Sequence, residues 1–189
     1  MQQIAYLQGK LTMALAEAIL VCLTERPMSG YDLAKNFDAS IGFFWRASHQ
    51  QIYRELGRLR EKGYVISEEV SQEGKPNRII HTLTPEGKKA LRAWSKKPAR
   101  QPSLKDDMLV KFYALENMDL DALKDQLTIR MEQHQTKLSK YYRIKERYYD
   151  GKTLDLTQKG KLIALEMGID QEVQTIERLA EAMRKIGEL

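Results

Sequence analysis

Apolar residues recur at Leu15, Ala18, Ile19, Cys22 and Leu23, the i, i+3, i+4, i+7, i+8 spacing of a helix with one buried face. Pro27 ends that pattern. Ser29 then stands where its hydroxyl can accept from the backbone N–H near Asp32, which predicts a second, short helix carrying Tyr31, Leu33, Ala34 and Phe37. The connection from Ile41 to Ala47 holds Phe43, Phe44 and Trp45 in sequence and has no clear period. Ser48-His49-Gln50-Gln51 is a capping box of the Ser-x-x-Gln kind, opening a third helix that runs to about Lys62 and stops at Gly63.

Two stretches rich in Val, Ile and Thr follow, Tyr64 to Val70 and Arg78 to Leu83, around a loop whose Gly74, Pro76 and Asn77 favour a turn. They predict a two-stranded wing. Thr84-Pro85 reads as N-cap and first position of a helix through Ala90, Leu91 and Trp94. Pro98 and Pro102 bracket a basic stretch poor in core residues. Beyond it a short helix is expected from Asp106 to Glu116, then a long one capped by Asp119, with Leu120, Leu123, Leu127, Met131, His134, Leu138 and Tyr141 at three- and four-residue steps. Gly151 interrupts the pattern, and a last helix from about Leu156 repeats it with Leu162, Leu165, Ile169, Val173, Ile176, Met183 and Ile186. The expected fold is mainly α: a winged helix-turn-helix over residues 1–97 with three helices and a two-stranded wing, a linker over 98–105, and a long-helix dimerisation domain over 106–189.

Charge sharpens this picture. The 189 residues carry a formal charge of +5, but residues 1–95 hold 13 basic and 10 acidic side chains, whereas 104–189 hold 15 and 16. The positive excess therefore belongs to the first half and its exit, where a polyanionic partner would bind by displacing condensed counterions. Glu17 interrupts the apolar positions between Met13 and Leu23, which are too short to span a bilayer. No membrane association and a cytoplasmic location are expected. The single cysteine, Cys22, has no disulfide partner within the chain. His49, His81 and His134 are widely separated and no Gly-rich phosphate loop occurs, so no metal, cofactor or catalytic role is expected.

The chemistry converges on the third helix. Ile52, Leu56 and Leu59 share its apolar face, which leaves Gln50, Tyr53, Arg54, Gly57, Arg58 and Glu61 on or near the opposite one. Gln reads adenine edges, Arg reads guanine or holds phosphate, and Tyr donates to phosphate. Ser48 and Gln51 complete the candidate recognition set, and Lys75, Asn77 and Arg78, at or beside the hairpin tip, form a candidate wing contact with phosphate or minor groove. A solvated helix also carries Arg and Gln, and hairpin tips are often basic for solubility alone.

Ser29-Gly30-Tyr31-Asp32-Leu33, Gln51-Ile52-Tyr53-Arg54-Glu55-Leu56 with Leu59, Gly63-Tyr64-Val65, and Leu83-Thr84-Pro85-Glu86-Gly87 together resemble the PadR family of winged-helix bacterial regulators, in order and spacing. The second half resembles the longer PadR subgroup with a virulence-activator type C-terminal region. The resemblance implies DNA contact through the third helix and wing, with Tyr53 matching a typical tyrosine of that helix. The implied function is that of a transcriptional regulator, a repressor in the first reading with activation left open, binding double-stranded operator DNA as a homodimer on an inverted repeat. Two amphipathic helices joined near Gly151 leave a residual apolar face for a second chain. Leu120, Leu123, Leu127, Leu138, Leu165, Ile169, Val173, Ile176 and Met183 are the candidate dimer seam.

Two questions stay open at this level. One rival is a non-catalytic adaptor that docks a protein on its winged domain, for which an exposed apolar patch would replace the basic face. The other is whether a small-molecule effector binds. Phe43, Phe44, Trp45, Trp94, Phe112, Tyr113, Tyr141 and Tyr142 fit core or dimer seam before they fit a pocket, and both tryptophans suit plain core packing.

Overall fold

The computed structural model describes residues 15–39, 47–72, 75–99 and 105–188. The chain divides into two compact units, residues 1–101 and 102–189. In the first, the described part of α1 covers 15–23, followed by β1 (Met28–Ser29), α2 (Gly30–Ala39), α3 (His49–Glu61), β2 (Val65–Gln72), β3 (Lys75–Leu83) and α4 (Pro85–Ser95). The second contains α5 (Asp107–Phe112), a 3-10 turn (Leu115–Asn117), α6 (Leu120–Tyr148) and α7 (Leu156–Gly187).

The sheet has three strands in the order β1-β3-β2, all antiparallel. The expected wing had two. β1 is only two residues long, with Met28 opposite His81 and Ser29 opposite Ile80, and no alternation is detectable over two residues. Its consequence is positional, because it clamps the start of α2 against the middle of β3. The core beneath is the one the periodicity marks: Ile19, Leu23, Leu33, Phe37, Ile52, Leu56 and Leu59 are all buried. Burial of such aliphatic side chains contributes about 1.5–3 kcal/mol each, so this shared face fixes the placement of α3.

The join between α3, the wing and α4 is tightly specified. Gly63 takes the left-handed conformation, φ +69°, that ends α3. Thr84 caps α4, its Oγ1 accepting from Gly87 N at 3.0 Å and donating to the Gly63 carbonyl at 2.7 Å. Gly87 lies so close to the Tyr64 carbonyl that an added Cβ would stand 2.4 Å from its oxygen. That contact gives the Leu83-Thr84-Pro85-Glu86-Gly87 motif its glycine.

In the second unit α6 and α7 form an antiparallel hairpin through a turn at Gly151, φ +69°. Leu123 and Leu127 of α6 and Leu179 and Ile186 of α7 pack with Met108 of α5, and Leu120, Met131 and Met183 lie partly buried against them. The helix expected from Asp106 to Glu116 is interrupted. α5 ends at Phe112 and the backbone leaves helical geometry at Ala114, φ −131° and ψ 39°, before the 3-10 turn. The break lets Met108 and Phe112 on one side of it and Leu115 and Met118 on the other reach the same cluster.

Candidate nucleic-acid interface

α3 starts where the sequence places its cap. Ser48 Oγ accepts from Gln51 N at 3.2 Å, and Ser48 N donates to Gln51 Oε1 at 2.8 Å. Both expected DNA-binding side chains are thus engaged in starting the helix. Ile52, Leu56 and Leu59 face inward, and Gln50, Tyr53, Arg54 and Arg58 are exposed on the outer side. Glu55 departs from the expected pattern, since it is 3% exposed. Its Oε2 accepts from Arg58 Nη1 at 3.2 Å, so Arg58 offers the surface a partly neutralised charge. Arg54 makes no ion pair among the described residues, which leaves it the freest cation of the outer face.

Tyr53 is held from beneath. An added Cβ on Gly30 would lie 2.4 Å from Tyr53 Cε1, so the absence of a side chain at the first position of α2 lets the ring lie against that backbone. The tyrosine nevertheless stays half exposed. The glycine of Ser29-Gly30-Tyr31-Asp32 is therefore a seat for a residue of the outer face of α3, a link between segments that local periodicity does not carry.

The wing residues are placed less simply. The side chain of Lys75 lies outside the described residues, as do Glu73 and Gly74 at the hairpin tip. Asn77 is exposed and donates from Nδ2 to Glu69 Oε1 at 2.8 Å across the hairpin. Arg78 turns back toward α2, its Nη2 donating to Asp32 Oδ2 at 2.7 Å and to Ser29 Oγ at 3.1 Å. Partial burial opposes ionisation of Asp32, but the Ser29 hydroxyl and the Arg78 guanidinium outweigh it and hold its carboxyl below the usual carboxylate range. The expected free basic tip is, at Arg78, an ion pair between elements 46 residues apart.

Between α3 and the sheet runs a cleft of about 430 Å³, lined by Tyr31, Tyr53, Arg60, Asn77, Arg78 and His81 among others. Helical spacing alone does not show that Arg60 faces the wing, and the structure adds it to the candidates. His81 is buried, and its Nδ1 lies 2.9 Å from Ser67 Oγ. Burial, with a smaller contribution from the Arg60 charge, pushes its ring below the usual histidine range. The cleft thus presents two guanidiniums, two phenols and an amide beside the exposed face of α3. These are donors of the kind that phosphate oxygens accept from, and Leu56 and Ile79 supply apolar lining between them.

A family model described as the transcriptional regulator PadR-like family matches residues 19–93, and one described as virulence activator alpha C-term matches residues 104–186. A probable transcriptional regulator of Mycobacterium tuberculosis is 34% identical over 187 residues, covering 93% of this chain and 99% of the relative. The chain belongs to the PadR-like family of transcriptional regulators. The negative transcriptional regulator PadR of Bacillus subtilis is 32% identical over 123 residues, 65% of this chain and 68% of its own length. Among solved structures, Bacillus subtilis PadR in complex with operator DNA aligns with a TM-score of 0.79 at 27% identity, covering 92% of this chain and 99% of that one. The Vibrio cholerae virulence activator AphA aligns at 0.75 and 30%, covering 92% and 98%. The PadR-like winged helix and the long C-terminal helices expected from sequence are therefore both established.

The candidate dimer seam separates into two groups. Leu123, Leu127, Leu165 and Ile169 are buried by their own chain, whereas Leu120, Leu138, Val173, Ile176 and Met183 are only partly covered. A helical wheel shows that an apolar stripe needs cover, but not that the facing helix and α5 supply much of it. The apolar residues left most open in this unit include Val110, Ile129, Ile163 and Met167. No described helix is long and apolar enough to cross a membrane.

Proposed function

We propose that this PadR-like regulator is a sequence-specific DNA-binding repressor that acts as a homodimer on an inverted-repeat operator. In this reading the exposed face of α3 enters the major groove, where Gln50 and Arg54 read base edges and Tyr53 holds phosphate. The wing meets the neighbouring backbone. The observation that carries the proposal is that face itself: Gln50, Tyr53 and Arg54 are exposed on a helix fixed by the buried Ile52, Leu56 and Leu59. The likeness to a PadR solved with operator DNA supports it.

Homodimerisation rests on the apolar residues that the second unit leaves uncovered, and it would set two α3 helices about one helical turn, roughly 34 Å, apart on the duplex. The role is one of binding in the cytoplasm, with no catalytic step. Fluorescence anisotropy of the full chain against the DNA upstream of its own gene and against random-sequence duplex, across a salt series, tests the proposal. Saturable, tighter binding to the upstream DNA with a steep loss in salt is expected. Absence of binding to either duplex at low salt would overturn it in favour of a protein-docking adaptor.

A further inference from the structure

The cleft between α3 and the wing has a feature that DNA binding alone does not require. Its charged lining is basic, Arg60 and Arg78, yet Arg78 is not available as a bare cation. Its Nη2 donates to Asp32 Oδ2 at 2.7 Å, and Ser29 Oγ donates to the same oxygen at 2.8 Å. A carboxylate oxygen receiving a guanidinium and a hydroxyl holds donors of the kind a backbone phosphate uses. Asp32 also lies in the first turn of α2, where the helix dipole favours negative charge independently of Arg78. The pair remains reachable from solvent, with side-chain exposures of 38% for Arg78 and 29% for Asp32, so an incoming phosphate can compete for the guanidinium.

We propose that Asp32 is a specificity-setting residue. Its carboxylate stands in for a DNA phosphate in the free protein and cancels Arg78, so that this guanidinium contributes little to the binding of arbitrary duplex. The proposal rests on the DNA-binding reading and deepens it. Non-specific affinity follows the number of phosphates neutralised, each adding about 0.9 to the slope of log K against log salt. Cancelling one cation in each protomer removes part of that sequence-independent attraction. The base contacts of α3 are made by other residues and are retained. On the operator those base contacts fix the register that brings a phosphate up to Arg78, so the guanidinium exchanges Asp32 for phosphate there and not on arbitrary duplex. The ratio of operator to random-duplex affinity therefore rises, although absolute affinity falls.

The test compares the full-length protein with Asp32→Asn, Arg78→Gln and the double variant. Binding is followed by fluorescence anisotropy against a random-sequence duplex and the upstream DNA over a salt series, with a melting curve for each protein. Asp32→Asn is expected to bind random duplex about 3- to 10-fold more tightly at low salt, with a slope steeper by about 1 per engaged protomer. The upstream DNA gains less, and adding Arg78→Gln removes the gain. An Asp32→Asn protein that melts normally and binds random duplex no more tightly than the parent overturns the proposal, because Asp32 is then a strut that orients Arg78.

Should Asp32→Asn lower the melting temperature, Arg78→Gln and the double variant carry the decision, since both lack the ion pair. Weaker binding by Arg78→Gln than by the double variant supports a carboxylate that faces phosphate, and equal binding overturns it. If the parent protein binds no duplex at low salt, the DNA reading itself fails. If the parent binds and the variants do not separate, only the role of Asp32 fails.

Discussion

Gly30 and Tyr53 show how one missing side chain shapes the outer face of α3. The tyrosine ring occupies the space a Cβ would need, 2.4 Å from the nearest ring atom, and a ring on a rotatable side chain can swing away. Gly30→Ala is therefore expected to leave the fold intact and displace Tyr53. Affinity for duplex DNA should fall by about tenfold, equivalent to about 1.4 kcal/mol, while the melting temperature changes little. Anisotropy and calorimetry on the same preparation check both halves of that expectation.

Glu17 makes a separate residue-scale prediction. Its Oε2 is buried without a hydrogen-bond partner among the described residues, in a cleft of about 250 Å³ lined by Glu55, Lys62, Trp94 and Lys97 among others. Burial raises its pKa above the usual 4.5, and its own backbone hydrogen bond, Lys97 and Lys62 only partly offset this. A carboxyl with a raised folded-state pKa contributes stability that is fully present below about 4.5 and lost as pH rises through the folded value. Glu17→Gln should therefore raise the melting temperature at pH 7 to 8, and the gain should vanish on approaching pH 4.5. An equal gain at both ends of that range would contradict the account.

At the scale of elements, the sequence is most legible where a local signal and burial agree. The Ser48 capping box, the Ile52, Leu56 and Leu59 face, the Gly63 stop and the Thr84 cap each combine a spacing with a chemistry that operates within a few residues. What was not legible depends on contacts far apart in the chain. β1 exists only because β3 is there to pair with it, and Arg78 meets Asp32 across 46 residues. Glu55 sits at i+3 from Ile52, on the buried side of the wheel, but a charge at that position reads as surface until Arg58 is seen beside it.

The α6–α7 hairpin repeats this lesson. Glu172, buried between the helices, accepts from Lys137 Nζ at 2.6 Å and lies 2.5 Å from His134 Nδ1. Burial opposes its charge, but those two hydrogen bonds prevail and hold it below the usual carboxylate range. Its contribution is therefore present above about pH 4.5 and lost as pH falls through the lowered value. Glu172→Ala should destabilise the hairpin by roughly 1–3 kcal/mol at neutral pH, toward the lower end because Lys137 is partly exposed and screened. Chemical denaturation at pH 7 and again near pH 4 checks both the size and its decline.

For the whole molecule, the proposed function divides labour between an N-terminal unit that reads DNA and a helical unit that pairs two copies, and it stands on the outer face of α3 meeting DNA. Arg58 is a poor place to test this, because reversing its charge would set a second carboxylate beside the buried Glu55 and confound binding with stability. Arg54 is exposed and makes no ion pair among the described residues, so Arg54→Glu alters the face alone. The decisive measurement is anisotropy of Arg54→Glu against the upstream duplex, beside the parent protein and with matched melting curves. The account predicts a loss of about 10- to 100-fold, the size of one base or phosphate contact reversed, at an unchanged melting temperature. Unchanged affinity in a folded variant would contradict it.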